Sequence, residues 1–276
     1  MRVGSQLVEV DLRPIGSVLP HEETITDLAS KLSDQIRADG FQRDPIIVDR
    51  ENHVVLDGMH RLRALKELGA RHILCHLVDY SSPEIRLERW ARLLTGVKRE
   101  SLVEILKDSR IDRRVSLKEA IELVDGRSTP VAVLTSGSCF VASSSFKSLA
   151  ETFELLRRLD EAFRAMGLKE DFIEEELVEE AIPNPGNVVI LTPRVEKKEV
   201  IEAAKRGRLF PHKSTMHVIG IRAVGVNYPL SELQEEEPSH ELRASKLEGA
   251  RGSILDPPVT YFGRRYWEKL LVVREE

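Results

Sequence analysis

The feature that most constrains this chain is an abrupt change of sequence period at Asp57-Gly58. Before it, His53 to Leu56 is a short β-branched and apolar run; after it, Leu62, Leu65 and Leu68 recur at helical spacing until Gly69 supplies a stop. A strand therefore hands over to a helix within a residue or two. Pro45 to Val48 is a second run of the same kind, and the polar Asp49-Arg50-Glu51-Asn52 between them predicts a hairpin.

Upstream, Leu7 to Leu12 reads as an opening strand, and Ile25, Leu28, Leu32 and Ile36 as one face of a helix that Gly40 ends. Downstream, Ile73 to Val78 reads as a buried strand. Ser82-Pro83-Glu84 combines an N-cap hydroxyl, a proline at the first helical position and an early acid, which predicts a helix carrying Ile85, Trp90 and Leu94. That gives a first unit over residues 1–95. From 96 to 276 the expected helices, near Leu117 to Leu123, over Ser145 to Met166 and after Thr192-Pro193, alternate with strands near Val131 to Thr135, Phe140 to Ala142 and Val188 to Leu191. The acidic stretch Lys169 to Glu180 is expected as a solvated amphipathic helix, and the region from Leu230 onward as charged and broken by proline loops. The fold class is α/β (α+β), with a second α/β domain after the first.

Composition sets outer bounds. The chain has 276 residues, 41% of them hydrophobic, enough for a substantial core, and a net charge of −5, so no global field draws it to polyanions. No stretch approaches the roughly 20 apolar residues that span a bilayer, and Met1 to Ser5 lacks a secretory signal's apolar core, so a cytoplasmic protein without membrane partners is expected. Charged residues make up 32%, while Asn and Gln occur four times each, a pattern compatible with a thermophilic source. Cys75 and Cys139 lack zinc or disulfide spacing and are expected as buried thiols; the histidines form no ligand spacing for a structural metal.

The chemistry concentrates at the strand-to-helix turn. A helix start aims several unpaired backbone amides at one point and binds phosphate well. Gly58 allows close approach, and His60 and Arg61 add donors suited to phosphate oxygens. An ordinary turn with Asp57 as N-cap explains Asp57 and Gly58 equally well. It gives no reason for an adjacent His-Arg pair in the first turn, which favours an anion.

Strand, Asp57-Gly58-Met59-His60-Arg61, helix and Leu68-Gly69-Ala70 together resemble the ParB/sulfiredoxin-like superfamily, and within it the free L-serine kinases. The resemblance spans most of the chain. It implies a nucleotide-binding first domain, Mg²⁺, ATP or ADP as phosphoryl donor, and L-serine as substrate, with O-phosphoserine as product. Pro20-His21-Glu22 is similar to the family segment bearing the catalytic glutamate, which makes Glu22 the expected base. Asp57 is expected to orient the hydroxyl or hold the metal, with Gly58, Met59, His60 and Arg61 on the phosphates. Trp90 matches a tryptophan lining the serine pocket. Lys213-Ser214-Thr215-Met216-His217, within a closing segment near residues 206–220, is similar to a family segment over the substrate, so Lys213, Ser214, Thr215 and His217 are expected to bind serine.

Two positions depart from the family pattern: Met59 replaces a common second histidine, and Met216 an arginine. Met59 also occupies the position of sulfiredoxin's catalytic cysteine, which argues against that chemistry. Outside the resemblance, Glu22 reads as a surface acid at a helix start and Trp90 as a core residue. The alternative function is a ParB-like nucleotide-binding, DNA-associated or regulatory protein without kinase activity. A net acidic chain alternating strands and helices does not suit a basic recognition helix, so nucleic acid is not an expected partner.

Overall fold

The computed structural model describes residues 2–3, 6–243 and 251–274. The chain forms two compact units, Met1–Leu87 with Lys197–His212 and His217–Glu276, and Glu88–Glu196 with Lys213–Met216. Unlike a division at residue 95, neither unit is one continuous stretch. The reason lies in the core: Ala223, Val226, Tyr228, Leu230, Leu233, Leu271 and Val273 pack in the same cluster as Val10, Ile46, Leu65 and Leu74, so the C-terminal segment completes the N-terminal core.

The first unit is built on a four-stranded sheet in the order Glu9–Pro14, His72–Val78, Ile46–Asp49, Val55–Asp57. The expected hairpin is present, with Ile47 opposite Asp57 and Val48 opposite Val55. Ile46–Asp49 runs parallel to His72–Val78 and is buried along its length, as a strand covered on both sides should be. Two helices flank it. Thr26–Asp39 ends at Gly40 in the left-handed conformation, and Met59–Glu67 ends before Gly69, also left-handed. The first helix buries Ala29, Ser33 and Ile36, whereas Ile25 and Leu28 of the expected apolar face stay exposed. A further sheet joins Ile221–Val224 to Lys269–Arg274 and Arg251–Leu255, the last two from the region after Leu230 expected as charged and broken by loops.

The second unit is a six-stranded, wholly antiparallel sheet in the order Arg113–Val115, Cys139–Val141, Ala132–Thr135, Val188–Leu191, Trp90–Thr95, Lys169–Glu174. The helices Leu117–Asp125 and Leu149–Ala165 each start on a serine, Ser116 and Ser148, whose hydroxyl accepts an amide three residues on. Two expectations fail in this region. Ser82-Pro83-Glu84 closes only a turn, with Ile85 N–H donating to Ser82 C=O, and Trp90 to Leu94 is strand. That strand has hydrogen-bonded neighbours on both edges, a gain that outweighs a local capping signature. The acidic Lys169–Glu174 is likewise strand, not helix, and its charges suit a sheet edge; only Val178–Ala181 beyond it is α-helical.

Candidate active site

Gly58 is the pivot of the first unit's site. Its φ is 101°, and a Cβ there would lie 2.5 Å from Ile46 Cγ2, so both the conformation and the neighbouring strand require glycine. The helix Met59–Glu67 begins at Gly58 with no side-chain cap and no acid in its first turn, and its first internal bond runs from Leu62 N–H to Gly58 C=O. The contrast with the capped helices at Ser116 and Ser148 is chemical. An uncapped glycine start presents its first-turn amides to an anion.

Asp57 is not the N-cap. Its carboxylate accepts from Arg222 Nη1, and Arg222 Nε donates to Glu268 Oε1 at 2.7 Å. Among the expected phosphate donors, Arg61 donates to Pro45 C=O at 3.0 Å, which ties the helix to the hairpin. His60 Nε2 accepts the Ile25 amide at 3.0 Å, so its proton sits on Nδ1, and its ring meets His212 edge to face at 5.2 Å. Met59 is 8% exposed and packs in the core, which leaves only its backbone amide for phosphate.

Glu22 is fixed by its backbone. Phe210 N–H donates to His21 C=O and Glu23 N–H donates to Phe210 C=O, both at 2.8 Å, a parallel bridge centred on Glu22. His21 Nδ1 lies 2.6 Å from Val55 C=O, so Nδ1 carries the proton and donates. Burial lowers the His21 pKa to about 4, and the ring is neutral near pH 7. Its Nε2 lies 3.9 Å from Glu22 Oε1, and that contact is not an ion pair near neutrality.

His217, expected to face serine or phosphate, is buried with its Nε2 2.8 Å from the Tyr80 hydroxyl and its ring 5.4 Å from His21. Burial, reinforced by His21, holds its pKa well below the usual imidazole value. Lys197 Nζ donates to Ser82 C=O at 2.8 Å and lies 5.2 Å from the Tyr80 ring centre; burial lowers its pKa. Tyr80, Lys197, Arg222, Glu268 and His212 thus join the site's polar surroundings without having been read as site residues from sequence.

The other expected serine-binding residues belong to the second unit. Lys213 Nζ lies 4.0 Å from the centre of the Trp90 ring, a cation–π contact, and Lys213 adopts φ 58°. Ser214 and Thr215 are buried beside it in sequence. The expected site residues therefore fall into two groups: Glu22, Asp57 to Arg61 and His217 in the first unit, and Trp90, Lys213, Ser214 and Thr215 in the second. Cys75 and Cys139 are both buried and reduced, and burial raises both thiol pKa values.

No family model matches the chain. Among curated proteins, an ATP-dependent L-serine kinase of Staphylothermus marinus is 27% identical over 82% of this chain and 92% of its own length. The ADP-dependent L-serine kinase SerK of Thermococcus kodakarensis is 25% identical over 78% and 88%. The chain is a homologue of the L-serine kinases. A ParB-like protein of Sulfolobus acidocaldarius is 28% identical over 72% of the chain and 85% of its own length. A solved free serine kinase in complex with AMP has a TM-score of 0.70 at 20% identity, covering 83% of this chain and 95% of that one. SbnI from Staphylococcus aureus has a TM-score of 0.68 at 17% identity, over 86% and 94%. The fold is that of the free serine kinases, mixed in helix and strand.

Among the described residues no group of three or more His, Cys, Asp and Glu side chains is placed to hold a metal ion, and no helix is long and apolar enough to cross a membrane. Asp57, expected to orient the hydroxyl or hold the metal, is bound to Arg222.

Proposed function

We propose that this chain is a free L-serine kinase that transfers the terminal phosphoryl group of ADP or ATP to the hydroxyl of L-serine, giving O-phospho-L-serine. One observation carries the reading beyond homology. Glu22 is held next to His21, whose ring bonds Val55, and two residues further along that strand Asp57 and the uncapped helix start follow. The carboxylates assigned as base and as orienting group, and the helix start assigned to phosphate, thus lie in one unit and are linked through the His21–Val55 hydrogen bond.

Phosphoryl transfer needs mainly alignment and charge stabilisation. In this assignment the amides of Met59, His60 and Arg61 hold the phosphates, with His60 Nδ1–H as a further donor. Magnesium carried on the phosphates would neutralise their charge. Glu22 accepts the serine hydroxyl proton, an effect worth about 10² to 10⁴ in rate. Asp57 orients that hydroxyl. Ser214 and Thr215 are assigned to the serine carboxylate, with Lys213 as its counter-charge and Trp90 as an apolar wall. His217 is assigned to support through Tyr80.

The similarity to a ParB-like protein keeps a second reading in view, nucleotide binding without transfer. One assay separates the two. Purified protein is mixed with L-serine, Mg²⁺ and either ADP or ATP, and O-phosphoserine is sought by mass spectrometry. Product with at least one donor is expected, and its absence with both sinks the kinase reading. Parallel reactions identify the donor, on which the two named kinases differ.

A further inference from the structure

Asp57 is held by machinery from the far end of the chain. Arg222 lies on Ile221–Val224 and Glu268 immediately precedes Lys269–Arg274; these strands pair in parallel with Ile221 opposite Lys269. The sheet therefore sets the spacing between the two side chains. The guanidinium donates from Nη1 to Asp57 and from Nε to Glu268, and the side chains of Arg222 and Glu268 are 5% and 8% exposed. Burial opposes the charge on Arg222, but attraction to Asp57 and Glu268 outweighs it and raises the guanidinium pKa.

Such an arrangement is costly to build. Each buried ion forfeits several kcal/mol of hydration, and a well-packed apolar replacement is often at least as stable. Fold stability is therefore a weak reason for three ionised groups here, whereas orientation of one carboxylate is a strong one. This fork gives one N–H to each of two carboxylates, so the bond to Glu268 fixes the plane of the guanidinium and with it the direction from which Asp57 is held in its ionised form. The imidazoles packed around this cluster do not compete for that role. His21 and His76 are buried with pKa values lowered to about 4 and about 3, and His217 is lowered as well, so all three are neutral.

We propose that Arg222, anchored by Glu268, is a positioning residue that locks Asp57 as a fixed acceptor for the substrate hydroxyl and leaves proton abstraction to Glu22. The inference rests on the kinase reading and divides the work of two carboxylates by their surroundings, one bound to a permanent cation and one beside a neutral histidine. In the step itself the serine Oγ–P bond forms and the bond to the nucleotide's bridging oxygen breaks. The hydroxyl proton goes to Glu22, and the departing nucleotide keeps the electron pair.

The test compares wild type with Arg222→Lys, Glu268→Gln, Asp57→Asn and the Arg222→Lys/Asp57→Asn double variant. Thermal unfolding by circular dichroism and calorimetric nucleotide titration serve as controls. Arg222→Lys keeps the charge but loses the fork; it is expected to lower kcat about 100-fold and Glu268→Gln about tenfold, with nucleotide affinity held within about twofold. The double variant is expected to be no slower than Asp57→Asn alone, because the residues act as a unit. Wild-type kcat in folded Arg222→Lys, or losses that multiply in full, would overturn the proposal. If Arg222→Lys fails to fold, Glu268→Gln decides on the same kinetic criterion.

A readout independent of turnover completes the test. The ¹³C resonance of the Asp57 carboxyl, assigned by its loss in Asp57→Asn, is titrated in wild type and in Arg222→Lys. Its midpoint is expected to rise in Arg222→Lys, because the carboxylate loses a hydrogen bond of fixed geometry that favours its ionised form, although a cation stays nearby. An unchanged midpoint overturns the positioning role even if the protein makes no phosphoserine. Absence of phosphoserine from the wild type condemns only the kinase reading.

Discussion

Glu22 and Phe210 form a parallel backbone bridge between segments far apart in the chain, with the Phe210 amide and carbonyl bonded to the residues on either side of Glu22. Because the backbone, not the carboxylate, makes this bridge, the side chain can be changed without dismantling it. Glu22→Gln is therefore expected to fold normally and to bind nucleotide with unchanged affinity. Turnover should fall about 10² to 10⁴-fold, the usual scale for a lost general base. Steady-state kinetics alongside a calorimetric nucleotide titration decide this; a large fall in affinity would reassign Glu22 to structure or metal, and retained activity would remove it as the base.

Gly58 carries two independent constraints, a left-handed backbone and contact with Ile46, and Gly58→Ala violates both. Strain at such a φ and overpacking of a buried strand each cost about 1 to 3 kcal/mol. Nucleotide binding is expected to weaken with stability, since the same turn aims the amides. Adding Ile46→Val removes one source of contact, so Gly58→Ala/Ile46→Val should recover part of the unfolding midpoint relative to the single variant. No recovery would mean that the backbone conformation alone forbids alanine.

The legible parts of the structure are those encoded within a few residues. Strand, Asp57-Gly58 and helix follow one another directly, and Gly40 and Gly69 mark helix ends by their own conformations. What escaped reading depends on distant partners. Nothing beside Arg222 or Glu268 in sequence marks them as neighbours of Asp57; only the parallel pairing of two late strands brings them there. Trp90 shows the opposite failure. Its spacing from Ile85 and Leu94 fits a helix, and Ser82-Pro83-Glu84 imitates a helix start, yet pairing with Lys169–Glu174 and Val188–Leu191 makes the segment a strand. Local signals lose where two neighbouring strands offer hydrogen bonds.

The contact between Lys213 and Trp90 makes a prediction about substrate rather than nucleotide. With Nζ 4.0 Å from the ring centre, the ammonium is oriented by the indole face. Lys213→Met keeps the stem and removes the charge, and is expected to raise KM for serine about tenfold while leaving KM for the nucleotide unchanged. Trp90→Phe should give a smaller rise, because a phenyl ring attracts the cation less strongly than indole does. Should the nucleotide KM move instead, Lys213 belongs to the phosphate side.

Stability should depend on pH through Glu170 in the second unit. Arg92 is 2% exposed and faces both Asp160 and Glu170, at 2.9 and 3.1 Å, so two carboxylates share one guanidinium. Burial, and then the charge of Asp160, raises the Glu170 pKa from 4.5 to about 7; Asp160 is raised too, by burial, although Arg92 opposes the shift. The folded state therefore holds its proton more tightly than the unfolded chain does. This contribution to stability is fully present below pH 4.5 and is lost as pH rises through 7, by an amount on the order of 2 kcal/mol. Glu170→Gln keeps the shape and the hydrogen-bonding capacity without the titration. Unfolding midpoints at pH 5, 6.5 and 8 are expected to fall for the wild type and to stay nearly flat for the variant, which should be the more stable of the two at pH 8. Parallel pH profiles for the two proteins would show that the two carboxylates share no proton across this range.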